Sequence, residues 1–441
     1  MHNIIFNSGK SYGLKYIFLF ISLLFVTISY SYGQQLIEGS PISEGFSPDR
    51  LKRIDSMIHS YTDNDHKVAG VVAIVARHGK IIYYTAAGYN DIKANKVMKR
   101  DDLFRIASQT KAVTGGAAMI LFEEGKFLLD DPVSKYIPEF KNMRVLDKFN
   151  PEDTTFTTVP AEKEITIKNL MTHTSGIDYA IIGSTEAKAI YAKYGVPVGF
   201  EPRHITLAEG MQRLAKAPLM FQPGSQYRYG LSIDLLGYLV EKVSGMSLKD
   251  FMEQRIFKPL GMNDTYFYIP ETKQHRLAKP YKWEDDGRKV EYFSADSSGA
   301  NSIYPLVKGS YYSGGAGLVS TAKDYATFLQ MLANGGTYNG KRILSPSTIR
   351  LMTTNQIDKS VIRYSKDDLG LTFNIATKEG GASSFPWNPG TYDWGGYWGS
   401  NFWVDPTSGI VAQIWSQDPG AYYRELSRRF FVMIYSALVN P

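Results

Sequence analysis

The strand-like segments of this 441-residue chain sit at its two ends, and the long stretch between them reads as helix and loop. Near the start, residues 68–77 (VAGVVAIVAR) and 80–87 (KIIYYTAA) are β-branched and apolar, and they flank His78-Gly79, a hairpin signal. Near the end, residues 394–404 and 410–417 are apolar runs joined by the turn 405–409 (DPTSG). Apolar strands must be paired and covered, so these distant segments are expected to share one sheet. The pattern predicts an α+β fold, with an antiparallel sheet built from the N- and C-terminal segments, flanked by helices. Residues 47–110 and 301–441 are assigned to this discontinuous sheet domain, and residues 111–300 to an inserted, mostly helical domain. The active site is expected at their interface. Residues 34–46 are polar and contain Gly and Pro, and read as a linker.

Helices are expected over 47–61, where Pro48 occupies the first turn, and over a segment after Gln109 that ends at Gly125. Others are expected at 165–171, 231–243, 321–333 and 422–438. Residues 263–312 read as loop-rich.

The chain has no cysteine, which excludes disulfides, thiolate metal sites and a cysteine nucleophile together. Its seven histidines are dispersed with no HExxH, which argues against a zinc hydrolase. No cofactor or metal is implied. The net charge of +6 is small and spread out, so no nucleic-acid partner is expected. Lys10 and Lys15 precede an apolar run from Tyr16 to Tyr30. That run is shorter than the about 20 residues a membrane span needs. With the small residues Ser31 and Gly33, it reads as a secretory signal over residues 1–33, cleaved after Gly33. A periplasmic or secreted protein with no stable membrane insertion is expected.

Two Ser-x-x-Lys matches occur. Ser320 to Lys323 is followed by Asp324 and a helical run, and reads as a helix cap. Ser108 to Lys111 follows an apolar strand and opens a helix. Residues three apart share a helix face, so the Lys111 amine reaches the Ser108 hydroxyl, which needs an adjacent base to become a nucleophile. A capped helix with a surface lysine has the same four letters, and the motif alone does not choose between the two.

Residues 103–111 (LFRIASQTK) resemble the nucleophile segment of the serine β-lactamase and penicillin-binding-protein superfamily. Residues 170–176 (LMTHTSG) and 314–321 (GGAGLVST), with Asp324, resemble two further segments of it, in the same order. The second superfamily motif, Tyr-x-Asn, is similar to Tyr229-Gly230-Leu231, and the third, Lys-Thr-Gly or His-x-Gly, to Trp394-Gly395-Gly396. Both departures resemble the family VIII carboxylesterases and related acyltransferases, which have a class C β-lactamase-like fold. The resemblance implies Ser108 as acylated nucleophile, with Lys111 and Tyr229 together as general base and acid. It implies an oxyanion hole from the backbone N–H groups of Ser108 and Tyr397. Trp394, Gly395, Gly396 and Leu231 would border the substrate. His173, in the THTSG loop, is expected to shape that loop rather than act as a base.

Trp394 removes the cation that lactamases and D,D-peptidases use on the substrate carboxylate, and Leu231 removes an amide contact. An uncharged or aromatic-flanked ester therefore fits better than a penicillin. The expected partner is a small-molecule ester or amide, cleaved through an acyl-enzyme. Three other readings stand beside this one: an acyltransferase, a D-amino-acid peptidase or weak β-lactamase, and an inactive cell-wall-binding homologue.

Overall fold

The computed structural model describes residues 35–63, 67–199, 205–284, 287, 289–292 and 304–439. The expected signal segment, 1–33, lies outside the described residues. Among them, no helix is long and apolar enough to cross a membrane.

The central sheet joins both ends of the chain. Strands β1 (Ile37–Glu38), β2 (Gly70–Arg77), β3 (Lys80–Asp91) and β4 (Lys96–Val97) come from the N-terminal part. Strands β5 (Asp368–Leu369), β6 (Asn374–Ile375), β7 (Tyr392–Gly396), β8 (Ser400–Asp405) and β9 (Ile410–Trp415) come from the C-terminal part. The order is β1-β3-β2-β9-β8-β7-β6-β5, with β4 also paired to β3. The two halves meet where β2 runs antiparallel to β9, with Ile74 opposite Gln413. All pairs are antiparallel except β1 with β3 at the edge.

The period of two along β2 sorts its side chains between two cores. Val71, Ala73 and Val75 face helices α1 (Pro48–Thr62) and α5 (Ala421–Ala437), which pack on one side. Val72, Ile74 and Ala76 face the larger core on the other side. That core holds α2 (Thr110–Glu123), α3 (Ser232–Ser244) and α4 (Ala322–Ala333). Because both faces are covered, every β2 residue is buried, and its sequence is a continuous apolar run.

Two expectations are corrected. Residues 35–46 are not a free linker: β1 pairs with β3, and Leu36 and Phe46 are buried. The segment is short and half polar, so its pairing is invisible to composition. Residues 394–404 are not one strand but the hairpin β7–β8, whose turn holds Gly399 in the left-handed region at φ +87°.

Candidate active site

Ser108 sits in a tight turn, Ala107–Gln109, between the short strand Phe104–Arg105 and α2. The preceding Ala107 is held at φ +43°, a left-handed conformation rare for a residue with a side chain. In a run that is otherwise buried from Asp102 to Lys111, Ser108 alone is partly exposed. The turn aims one hydroxyl out of a packed segment.

Lys111, one turn along, is fully buried. Its Nζ lies 3.2 Å from Ser108 Oγ, 3.0 Å from the Tyr179 hydroxyl and 2.7 Å from the Gly315 carbonyl oxygen. Burial pushes this amine down to about 7, against the opposing pull of Asp234. The Tyr229 hydroxyl donates to Ser108 Oγ at 2.5 Å. Burial pushes the Tyr229 phenol up to about 12, although its hydrogen bonds with Ser108, Trp394 and Tyr179 pull it back. At neutral pH the amine is therefore the group able to lose its proton, and the phenol holds its own.

Backbone packing fixes this cluster. The glycines of 314–321 thread between α2 and α3: a Cβ on Gly314 would lie 2.6 Å from the Ile233 carbonyl oxygen, and one on Gly315 2.5 Å from Asp234 Oδ2. Thr114 Oγ1 donates to the Gly314 carbonyl at 2.7 Å, so the neighbouring Gly315 carbonyl stays aimed at Lys111. The buried Asp234 accepts from Ser313 Oγ at 2.6 Å. Gly230 passes against the Ile177 carbonyl, where a Cβ would lie at 2.1 Å, and its N–H donates to His173 Nδ1 at 3.3 Å. Burial, reinforced by Lys111, holds the His173 imidazole well below its ordinary value, so the ring is neutral. His173 thus supports the backbone beside Tyr229.

Strand β7 closes the other side. A Cβ on Gly396 would lie 2.3 Å from the Ile106 carbonyl oxygen, so only glycine lets this strand lie against the Ser108 turn. Tyr397 follows, with an exposed side chain whose hydroxyl is 2.8 Å from that of Tyr292. Among the described residues, neither the Ser108 nor the Tyr397 backbone N–H is committed to a turn or loop hydrogen bond. Trp394 packs near Tyr229, with ring centres 5.9 Å apart, and with Gly395 borders a cavity of about 390 Å³.

Leu231 is a correction. Its side chain is fully buried in the larger core and offers no surface to a substrate, because it faces inward at the start of α3. The other Ser-x-x-Lys match is a helix start: Thr321 Oγ1 accepts from the Asp324 N–H at 3.2 Å, and Lys323 is exposed. Tyr179 and the Gly315 carbonyl, both on Lys111, were not singled out in the sequence. Tyr179 lies three residues beyond Gly176 of the THTSG loop, which is its one local signal.

The sheet, the helical layer and the serine–lysine–tyrosine cluster define a serine hydrolase of the β-lactamase and transpeptidase-like fold. The sequence pattern of the beta-lactamase family matches residues 54–430, and the chain belongs to that family. Protein Rv1367c of Mycobacterium tuberculosis is 35% identical over 355 residues, covering 78% of this chain and 84% of that protein. Esterase EstB of Burkholderia gladioli is 33% identical over 362 residues, covering 78% and 85%. The solved structure of EstCE1, a hydrolase with promiscuous acyltransferase activity, superposes with a TM-score of 0.73 at 27% identity, covering 90% of this chain and all of that one.

Proposed function

We propose that the protein hydrolyses carboxylic esters through an acyl-enzyme on Ser108. The observation that carries this reading is the Lys111 amine, buried and lowered to about 7, beside a serine that also meets the Tyr229 phenol. As Ser108 Oγ attacks the ester carbonyl, Lys111 Nζ takes the hydroxyl proton. The Gly315 carbonyl can only accept, so it holds one Lys111 N–H and leaves the lone pair free for Ser108. The carbonyl oxygen becomes an oxyanion held by the backbone N–H groups of Ser108 and Tyr397. Each such donor is typically worth about 10²–10³ in rate. The intermediate collapses with loss of the alkoxide, which takes the Tyr229 proton, and Lys111 returns a proton to Tyr229. Water then attacks the acyl-enzyme with the same groups in reverse.

The likeness to the esterase EstB supports an ester as substrate over a lactam. The acyltransferase activity of EstCE1 also supports a second use of the same intermediate, in which an alcohol or amine replaces water. The N-terminal segment supports export, and Edman sequencing of the mature protein is expected to start at Gln34.

The test is a panel of p-nitrophenyl esters of increasing acyl length, with a chromogenic cephalosporin and a D-Ala-D-Ala peptide alongside. Ester turnover lost in Ser108→Ala, with little lactam or peptide turnover, is the expected result. Dominant lactam or peptide turnover, or no fluorophosphonate adduct on Ser108, would overturn it.

A further inference from the structure

A carboxylate lies buried behind the lysine and takes no part in the proton transfers at Ser108. Asp234, in the first turn of α3, is fully buried. Its Oδ1 accepts from Ser313 Oγ at 2.6 Å and faces the Tyr311 hydroxyl at 3.4 Å. Its Oδ2 lies against Gly315, whose backbone N–H helps to hold its charge. The carbonyl of that same glycine accepts from Lys111 Nζ at 2.7 Å. One glycine thus stands between a buried amine and a buried carboxylate, and a Cβ on it would come within 2.5 Å of Oδ2.

An asparagine would accept the same hydrogen bonds without the cost of burying a charge. The carboxylate therefore calls for a cation, and Lys111 is the cation that acts on it. Among the described residues, the other groups facing the pair are neutral at pH 7. Burial holds the Tyr179 and Tyr229 phenols above their ordinary values and the His173 imidazole below its own. Asp178, next to Tyr179, turns instead to the Tyr179 and Ser184 N–H groups and to Arg228. The reaction itself makes the cation: when Lys111 Nζ takes the Ser108 proton, an ammonium forms in a fully buried position. Forming a charge there is costly unless an opposite one is close.

We propose that Asp234 is a positioning residue for the acylation step: it fixes Gly315 against Lys111 from behind and is the counter-charge of the ammonium that forms as Ser108 loses its proton. The inference rests on the ester-hydrolase reading and deepens it. Asp234 favours the protonated amine, so without its charge Lys111 gives up its proton at lower pH and is the weaker base.

The test follows Ser108 labelling by a fluorophosphonate across pH, in wild type and in Asp234→Asn. Here Ser108 Oγ bonds to phosphorus, fluoride leaves and Lys111 takes the hydroxyl proton, so the rate reports the activated serine whatever the natural substrate. Wild type is expected to gain rate with pH through about 7. Asp234→Asn is expected to move that rise down by about one pH unit and to lower the plateau about 10-fold. With p-nitrophenyl acetate the loss is expected in kcat, with KM little changed. If Asp234→Asn does not fold, Ser313→Ala decides: it removes a hydrogen bond that holds the carboxylate charged, and a smaller shift in the same direction is expected. An equal fall at every pH, with the midpoint unmoved, is the mark of a packing role alone and overturns the proposal. A midpoint moved upward overturns it as well. Labelling without ester turnover defeats the ester reading alone, and the labelling profiles still judge Asp234. No labelling of wild type overturns both.

Discussion

A lysine amine and a tyrosine phenol share the Ser108 hydroxyl, and their protonation divides the work. Lys111 sits near 7 and Tyr229 near 12, so kcat/KM for an ester is expected to rise with pH through about 7 and then level. A pH–rate profile that falls through that range would assign the base elsewhere. Lys111→Ala and Tyr229→Phe are each expected to lower kcat by about 10²–10⁴-fold, the range for a positioned acid or base. Helical spacing made the serine–lysine pair a candidate, because residues three apart share one face, and the resemblance selected it over the capped-helix reading. Tyr229 was selected only by the resemblance, since the chain has 30 tyrosines and no local rule prefers one. Tyr179 was missed for the same reason. It reaches Lys111 through space, across 68 positions of sequence, and only tertiary packing brings the two together.

At the scale of elements, strand β7 decides whether the oxyanion site exists. Gly396→Ala puts a methyl group 2.3 Å from the Ile106 carbonyl oxygen, which is backbone and cannot rotate away. The strand must retreat from the Ser108 turn, and displacements of about 1 Å cost about 10²-fold in rate. Gly395→Ala meets the Asn401 side-chain amide at 3.0 Å and the Ser400 carbonyl oxygen at an ordinary 3.4 Å, and is expected to be far milder. Comparable kinetics for the two variants would remove this account of the strand. The same strand carries Asp393, whose folded carboxyl titrates near 7 rather than 3.8. The native state therefore binds the proton more tightly than the unfolded chain does, and stability falls as pH rises between those values. Because the carboxyl borders an open cavity, water moderates the penalty, and about 1–2 kcal/mol is expected. Asp393→Asn keeps an acceptor for Asn374 and is expected to flatten the pH dependence of urea unfolding between about pH 4 and pH 7. An unchanged slope would place the titration elsewhere. The strand content of this region was readable as an apolar run, but its hairpin was not. Aromatic residues fill the turn at 397–398, and only the backbone at Gly399 marks the reversal.

For the whole molecule, the two ends of the chain hold one another in place, and the segment read as a linker is part of that closure. The split sheet was legible because apolar strands at both ends have to find partners. The role of residues 35–46 was not, because its contacts are non-local, 33 positions away at Arg77 and 302 at Tyr338. Leu36 N–H donates to the Tyr338 hydroxyl at 3.0 Å, and Arg77 Nη1 to the Glu44 carbonyl at 2.9 Å. The Ser47 N–H donates to Ala437 at 2.8 Å, and the Val439 N–H to Gly45 at 2.8 Å, so the segment also clasps the end of α5. The Glu44 carboxylate meets Lys80 at 2.7 Å and His78 at 3.1 Å. Burying Leu36 and Phe46 is worth about 1.5–3 kcal/mol each. That is a large part of the 5–15 kcal/mol that typically separates folded from unfolded chains. A chain beginning at Ser47 keeps the whole Ser108 cluster, yet it is expected to unfold at clearly lower urea than one beginning at Gln35. Its ester activity at low temperature is expected to be largely retained, because none of the removed side chains touches that cluster. Equal unfolding midpoints would mean that residues 35–46 are the tether their composition suggests, and that β2 and β9 close the sheet unaided.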